Sequence, residues 1–211
     1  MIHISGIKGY RGDKEMDDRK LAVLFPGIGY HCDKPLLYYS AKVALAAGYR
    51  VRSVPYAGFP EKVRGDVDKL RACVEIAWSQ ACEMLADVRW ADYDDILFVG
   101  KSIGTLVASR YACEKGLAVK NVLLTPLAET FQFVAGTAIA FHGTADPWAD
   151  TRAIVAACRE RGVPLCLTEG ANHSLETGDA LRDIQAVGRT VERIGAFIRP
   201  SAGPVPAARE G

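Results

Sequence analysis

Between residues 94 and 115 the chain has little conformational choice. Residues 94–99 are an apolar run rich in β-formers, Gly100 interrupts it, and residues 103–115 continue at once with a helical period that Gly116 stops. Strand, sharp turn and helix are contiguous, which is how a strand–helix–strand crossover begins. The same alternation runs along the rest of the sequence. Strands are expected at residues 21–25, 49–55, 121–124, 137–141 and 165–168, and helices at 34–47, 66–87, 150–161 and 175–198. Such an order predicts a mostly parallel sheet of about six to seven strands with helices on both faces, the seventh being a short N-terminal strand over residues 2–7.

Length and charge limit what this sheet can do. At 211 residues the chain suits one domain, expected over residues 1–198, followed by a Pro-, Ala- and Gly-rich flexible tail at 199–211. A net charge of +1, from 26 basic and 25 acidic residues, gives no surplus for holding a polyanion, so no nucleic-acid partner is expected. The N-terminus has no apolar signal segment and no run is long enough to span a bilayer, from which we expect a cytoplasmic protein without a membrane partner. The six cysteines form no CxxC pair, and neither a metal nor a cofactor is expected. Nothing in the sequence specifies an oligomeric state.

Gly100-Lys101-Ser102-Ile103-Gly104 has the form G-x-S-x-G, placed where a strand turns abruptly into a helix. The glycines let the chain crowd that turn and project the Ser102 hydroxyl outward, while the helix behind it aims its free N–H groups and positive dipole end at the same spot. A serine hydroxyl is a weak nucleophile at neutral pH and needs a positioned base, which in turn needs a third group to hold its tautomer. Of four histidines, His3 and His31 precede the serine. His142 lies inside His142-Gly143-Thr144-Ala145-Asp146-Pro147 and reads as a prop for that loop. His173, in Gly170-Ala171-Asn172-His173, is the candidate base. Asp146 follows one strand and His173 the next, so three loops at one sheet edge present Ser, Asp and His, at the strand ends where such sheets bind ligands. Asp150 and Glu129 are rival acids, but Asp150 is placed to cap the following helix and Glu129 follows a different strand.

Two other readings fail on spacing. Gly100-Lys101-Ser102 resembles the end of a phosphate-binding loop, yet the earlier glycine it requires is Asp95, inside a strand. Gly27-Ile28-Gly29 lacks the third glycine of a dinucleotide fingerprint, where Cys32 stands.

Together with Phe25-Pro26-Gly27-Ile28-Gly29, these motifs make residues 21–198 resemble an α/β-hydrolase, with the family's chain order of Ser, Asp, His. The resemblance implies Ser102 as nucleophile, Asp146 as acid and His173 as base, with an oxyanion hole from the backbone N–H of Ile103 and of Ile28 or Gly29. Many members carry a histidine where Pro26 stands, but backbone donors need no particular side chain. Only about a dozen residues separate the strand ending at Leu124 from the next, too few for a cap domain. The chain therefore resembles the small uncapped branch that includes dienelactone-hydrolase-like proteins, carboxylesterases and acyl-protein thioesterases. Dienelactone hydrolases proper use a cysteine, and here the nucleophile position is Ser102.

What this implies is hydrolysis of a carboxylic ester or thioester in a small-molecule or carrier-linked acyl substrate, through an acyl-enzyme. A non-catalytic binding protein on the same fold, and an acyltransferase or amidase using the same triad, are the alternatives. Tyr30 and Trp148 are the foremost candidate substrate-binding residues, with Phe59, Phe131 and Phe133 as further walls. Lys101 reads first as a packed or solvated stem and second as a cation for an acidic substrate group.

Overall fold

The computed structural model describes residues 17–199, so the strand expected over residues 2–7 and the tail from residue 200 lie outside the described residues. The described chain runs β1 (Lys20–Phe25), α1 (Pro35–Ala46), β2 (Arg50–Ser53), α2 (Val67–Met84), β3 (Asp95–Lys101), α3 (Ile103–Glu114), β4 (Lys120–Leu124), β5 (Thr137–Gly143), α4 (Thr151–Arg161), β6 (Leu165–Thr168) and α5 (Ala180–Ile198). Six strands form one sheet in the order β2-β1-β3-β4-β5-β6, every pair parallel.

Strand periodicity explains the layers. Leu21, Val23, Phe25, Ile96, Phe98 and Leu123 point to one face, under α2, α3 and α4. Ala22, Leu24, Leu97, Val99, Val122 and Leu124 point to the other, under α1 and α5. Central strands buried on both faces read as unbroken apolar runs rather than as alternation, which is why they are so plain in the sequence. Side-chain caps set helix starts: Asp66, Asp150 and Asp179 each accept the backbone N–H three residues on.

The structure corrects two boundaries that matter. The final helix begins at Ala180, not at residue 175. Leu175 is fully buried but has φ +60, and the stretch up to the Asp179 cap is loop, with Gly178 at φ +88. An apolar residue that anchors a loop to the core imitates a helical period. Strand β3 runs two residues past Val99 and carries Gly100 and Lys101, so the turn into α3 is made by Ser102 alone.

The chain runs outward from β1 to β2 and then returns across β1 to β3. This reversal opens a crevice above the carboxyl ends of β1 and β3. Only residues 125–136, with a short 3-10 helix at Ala128–Gln132, connect β4 to β5, and they hold no cap domain. No helix among the described residues is long and apolar enough to cross a membrane.

Candidate active site

Ser102 occupies the crevice with φ +56 and ψ −124, a conformation that costs a non-glycine residue about 1–3 kcal/mol. Its peptide is held on both sides. The Ser102 N–H donates to Leu124 O at 3.0 Å, and Ser102 O accepts from the Thr105 N–H at 2.9 Å and the Thr105 hydroxyl at 2.7 Å. Backbone must come close here. A Cβ at Gly104 would lie 2.1 Å from Phe25 O, and one at Gly100 would lie 2.6 Å from Thr105 Cα. The first and last glycines of the motif are therefore contact sites between α3 and the strands β1 and β3.

Asp146 and His173 arrive on the loops after β5 and β6, which are stitched together. The Ala145 N–H donates to Ala171 O at 2.9 Å and the Thr144 N–H to Thr168 O at 3.0 Å. A Cβ at Gly143 would sit 2.2 Å from Ala171 O. Asn172 orders the loop that carries His173 by accepting the N–H groups of Ser174 and Glu176 on its Oδ1.

The three side chains form one continuous relay. Ser102 Oγ is 2.8 Å from His173 Nε2, and His173 Nδ1 is 2.7 Å from Asp146 Oδ2. The Asp146 side chain is wholly buried and that of His173 is 15% exposed, so the imidazole meets solvent at the site while its partner does not. Burial alone would raise the Asp146 carboxyl, but hydrogen bonds from His173 and from the Trp148 N–H, 2.8 Å from Oδ1, hold it below its ordinary value. An ionised carboxylate can only accept, so the Nδ1 of His173 carries the proton and Nε2 faces the Ser102 hydroxyl as an acceptor. Burial lowers the His173 pKa against the pull of Asp146, which favours the neutral imidazole.

His142 does prop the acid loop. It is fully buried, and its Nε2 lies 3.0 Å from the Thr151 hydroxyl, which in turn faces Thr144 O at 3.4 Å. With the hydroxyl donating to that carbonyl, Nε2–H is the donor to Thr151. The bare Nδ1 then faces Asp146 Oδ2 at 3.7 Å without a hydrogen bond. Asp150 caps α4 as expected, and Glu129 is exposed on the 3-10 helix.

The oxyanion candidates sit around Ser102. Gly27 and Tyr30 exchange backbone hydrogen bonds at 3.1 and 3.2 Å, closing a tight turn that leaves the N–H groups of Ile28 and Gly29 without an acceptor among the described residues. A Cβ at Gly27 would be 3.0 Å from Ser102 Cβ, which puts this turn against the serine. Ile103 opens α3, where first-turn N–H groups have no helical partner.

The candidate walls divide. Trp148 lies against the His173 ring, centroids 5.7 Å apart. Tyr30 is 7% exposed and its hydroxyl accepts the Leu36 N–H, so only its ring borders the site. Phe131 belongs to the core beneath α4 and is no wall. A groove of about 400 Å³ runs between the loops after β1 and β2, walled by Gly27, Gly29, Tyr30, Cys32, Tyr56 and Phe59. Sequence reasoning misses Tyr56 and Cys32 as walls, and of the packed or solvated stem it gives Lys101 the structure shows the packed one, with 1% of the residue exposed. Among the described residues no group of three or more His, Cys, Asp or Glu side chains is placed to hold a metal ion.

No protein-family model and no curated protein matches the sequence. Solved structures do match in shape. An esterase from Pyrococcus furiosus superposes with a TM-score of 0.60 at 16% identity, covering 85% of this chain and 82% of its own. A lidless α/β serine hydrolase from Xanthomonas campestris gives 0.58 at 17%, covering 90% and 87%. A homologue of α/β serine hydrolases from Coxiella burnetii gives 0.55 at 18%, covering 87% and 88%. Identity at this level speaks for architecture, and with the strand order and helix layers above, the chain has the α/β-hydrolase fold in its uncapped form.

Proposed function

We propose that the protein is a serine hydrolase that cleaves carboxylic ester or thioester bonds through an acyl-enzyme on Ser102. The observation that carries this reading is the unbroken Ser102–His173–Asp146 relay, with contacts of 2.8 and 2.7 Å. Ser102 Oγ attacks the acyl carbonyl as His173 Nε2 takes its proton, and Asp146 stabilises the imidazolium that results. The N–H groups of Ile103 and of Ile28 or Gly29 receive the oxyanion. His173 then gives its proton to the leaving group, and a water activated by the same imidazole releases the acid. Esterase and serine hydrolase activity among proteins of the same shape supports the proposal. Covalent labelling tests it. A fluorophosphonate probe near neutral pH is expected to give a single adduct on Ser102, seen by intact mass and peptide mapping and absent from Ser102→Ala and His173→Ala. A folded protein that takes no label would be a binding module on this fold, and the proposal would fall.

For the substrate, we propose that an uncharged acyl group lies in the groove beside Gly27, with Tyr30 as one wall and Trp148 bordering the imidazole side. At about 30 Å³ per water-sized group, 400 Å³ takes roughly a dozen heavy atoms, enough for a medium alkyl chain or one aromatic ring. Each methylene that enters adds about 0.8 kcal/mol, close to fourfold in kcat/KM. Hydrolysis of 4-nitrophenyl esters, compared by kcat/KM, is thus expected to climb from acetate to a medium-chain optimum and then fall. Phe59→Ala should move that optimum to longer chains. A flat profile in both proteins would place the acyl group elsewhere.

A further inference from the structure

Lys101 is the last residue of β3 and the immediate neighbour of Ser102. Strand periodicity puts it on the face of Leu97 and Val99, under α1 and α5, and only 1% of the residue is exposed. A buried ammonium is normally paired with a carboxylate. None among the described residues comes within ion-pair distance of Lys101. Its contact is with the ring of Tyr30, whose centroid is 4.9 Å from Nζ, and Lys34 Nζ stands 5.4 Å from the same ring. An ammonium without an ion-pair partner has thus been kept inside the protein beside Ser102, resting on aromatic π-density with a second cation near the same ring, where the cation–π contact offsets only part of the cost of burying the charge.

We propose that Lys101 is a positioning residue that acts through His173: its buried ammonium, without an ion-pair partner and one residue from the Ser102 hydroxyl that the imidazole touches at 2.8 Å, keeps that imidazole a neutral acceptor toward the serine. This rests on the hydrolase reading above. The charged and titratable groups that act on the imidazole are Asp146 and His142 from β5 and its loop, and those that act on the ammonium are Asp146, Glu176 from the loop that carries His173 and Lys34 from the loop after β1, with the Tyr30 ring against it. Burial is the largest influence lowering the His173 pKa, Asp146 opposes it through a hydrogen bond and its charge, and the field of Lys101 adds to the lowering. Burial pushes Lys101 itself down to about 7, against the attraction of Asp146 and Glu176 and with the repulsion of Lys34. The cation is therefore fullest in the acid range, where His173 is at risk of protonation, and fades above neutrality, where it no longer opposes the imidazolium that forms in each turnover. Tyr30 gives the ammonium a face to rest on and ties it to the turn that bears Ile28 and Gly29.

The test compares Lys101→Met, which keeps volume and removes charge, with Lys101→Arg, which keeps charge at every pH. The titration midpoint of His173 is read from its ring proton by NMR, with His173→Ala for assignment, beside the pH profile of kcat/KM for hydrolysis of a 4-nitrophenyl butyrate substrate. In Lys101→Met the midpoint and the acid limb should both rise by about half to one pH unit. In Lys101→Arg they should stay at or below the wild-type position, while turnover at about pH 9 falls about threefold or more because the charge cannot leave. Lys101→Met should fold at least as stably as wild type, since it exchanges an unpaired buried charge for an apolar chain. If Lys101→Arg does not fit, Lys101→Met alone decides. A His173 midpoint unmoved by Lys101→Met overturns the role given to Lys101 whatever the activity does. Absence of both probe labelling and ester turnover in the wild type would instead fail the hydrolase reading, and the titration would still decide whether the two charges are coupled.

Discussion

Asp146→Asn is expected to lower kcat/KM on simple esters by roughly four powers of ten while leaving the protein folded, by analogy with the same change in an unrelated serine protease triad. The size of the effect comes from one proton. With a carboxylate at this position, His173 must carry its hydrogen on Nδ1, and Nε2 is left to accept from Ser102 at 2.8 Å. An amide turned with its nitrogen toward His173 becomes a donor, so Nδ1 must accept and the hydrogen moves to Nε2, where it faces the serine and cannot take its proton. Shape is kept, because the amide oxygen can still receive the Trp148 N–H now bound at 2.8 Å, and the new NH₂ group also faces the bare Nδ1 of His142. Steady-state kinetics with circular dichroism checks both halves. A loss smaller than about tenfold would mean that Asp146 does not set the tautomer of His173.

Gly104→Ala is expected to be the most damaging single methyl group in the described chain. Its Cβ would stand 2.1 Å from Phe25 O, 2.5 Å from Pro26 O and 2.6 Å from Phe25 C, all backbone atoms that no rotamer change can move. Overpacking against side chains typically costs about 1–3 kcal/mol, and against the end of a central strand we expect about 3 kcal/mol or more. Gly29→Ala is the control. Gly29 has φ +65 and open space around it, so the added methyl costs only the backbone preference, about 1 kcal/mol. Urea unfolding midpoints should separate the two clearly, and any folded Gly104→Ala protein should also label poorly with the probe, since β1 leads directly into the turn at Gly27. Equal midpoints for the two variants would show that α3 can move off β1.

Much of this is legible in the sequence because the strands of a doubly covered parallel sheet are apolar on both faces and each ends in a short, polar, glycine-bearing loop. Ser102, Asp146 and His173 each stand within about five residues of such a run, and with only four histidines the choice of base is narrow. The start of α5 is misplaced by periodicity because Leu175 is apolar for the sake of a loop. Residue type leaves Lys101 a packed or a solvated stem, and strand alternation, which places it beside Leu97 and Val99 in the interior, decides for the packed one. Other elements have no signature in side-chain identity. The Trp148 N–H on Asp146, the unpaired N–H groups of Ile28 and Gly29, and the groove between the loops after β1 and β2 arise from backbone paths that a single sequence does not spell out. The bare Nδ1 of His142 likewise follows from the order of donors in a three-membered chain through Thr151 and Thr144.

His173 hangs from an edge of the sheet. Strand β6 is four residues long, pairs only with β5, and leaves Leu167 half exposed at the margin. Segments of this kind open locally at a free energy well below that of the whole domain. On warming, His173 can therefore leave Ser102 while β1, β3 and β4 remain intact, and the few backbone stitches between the loops after β5 and β6 set the temperature at which that happens. Thermal inactivation is then expected to begin as fraying at a margin, reversible on cooling as long as the interior has not followed.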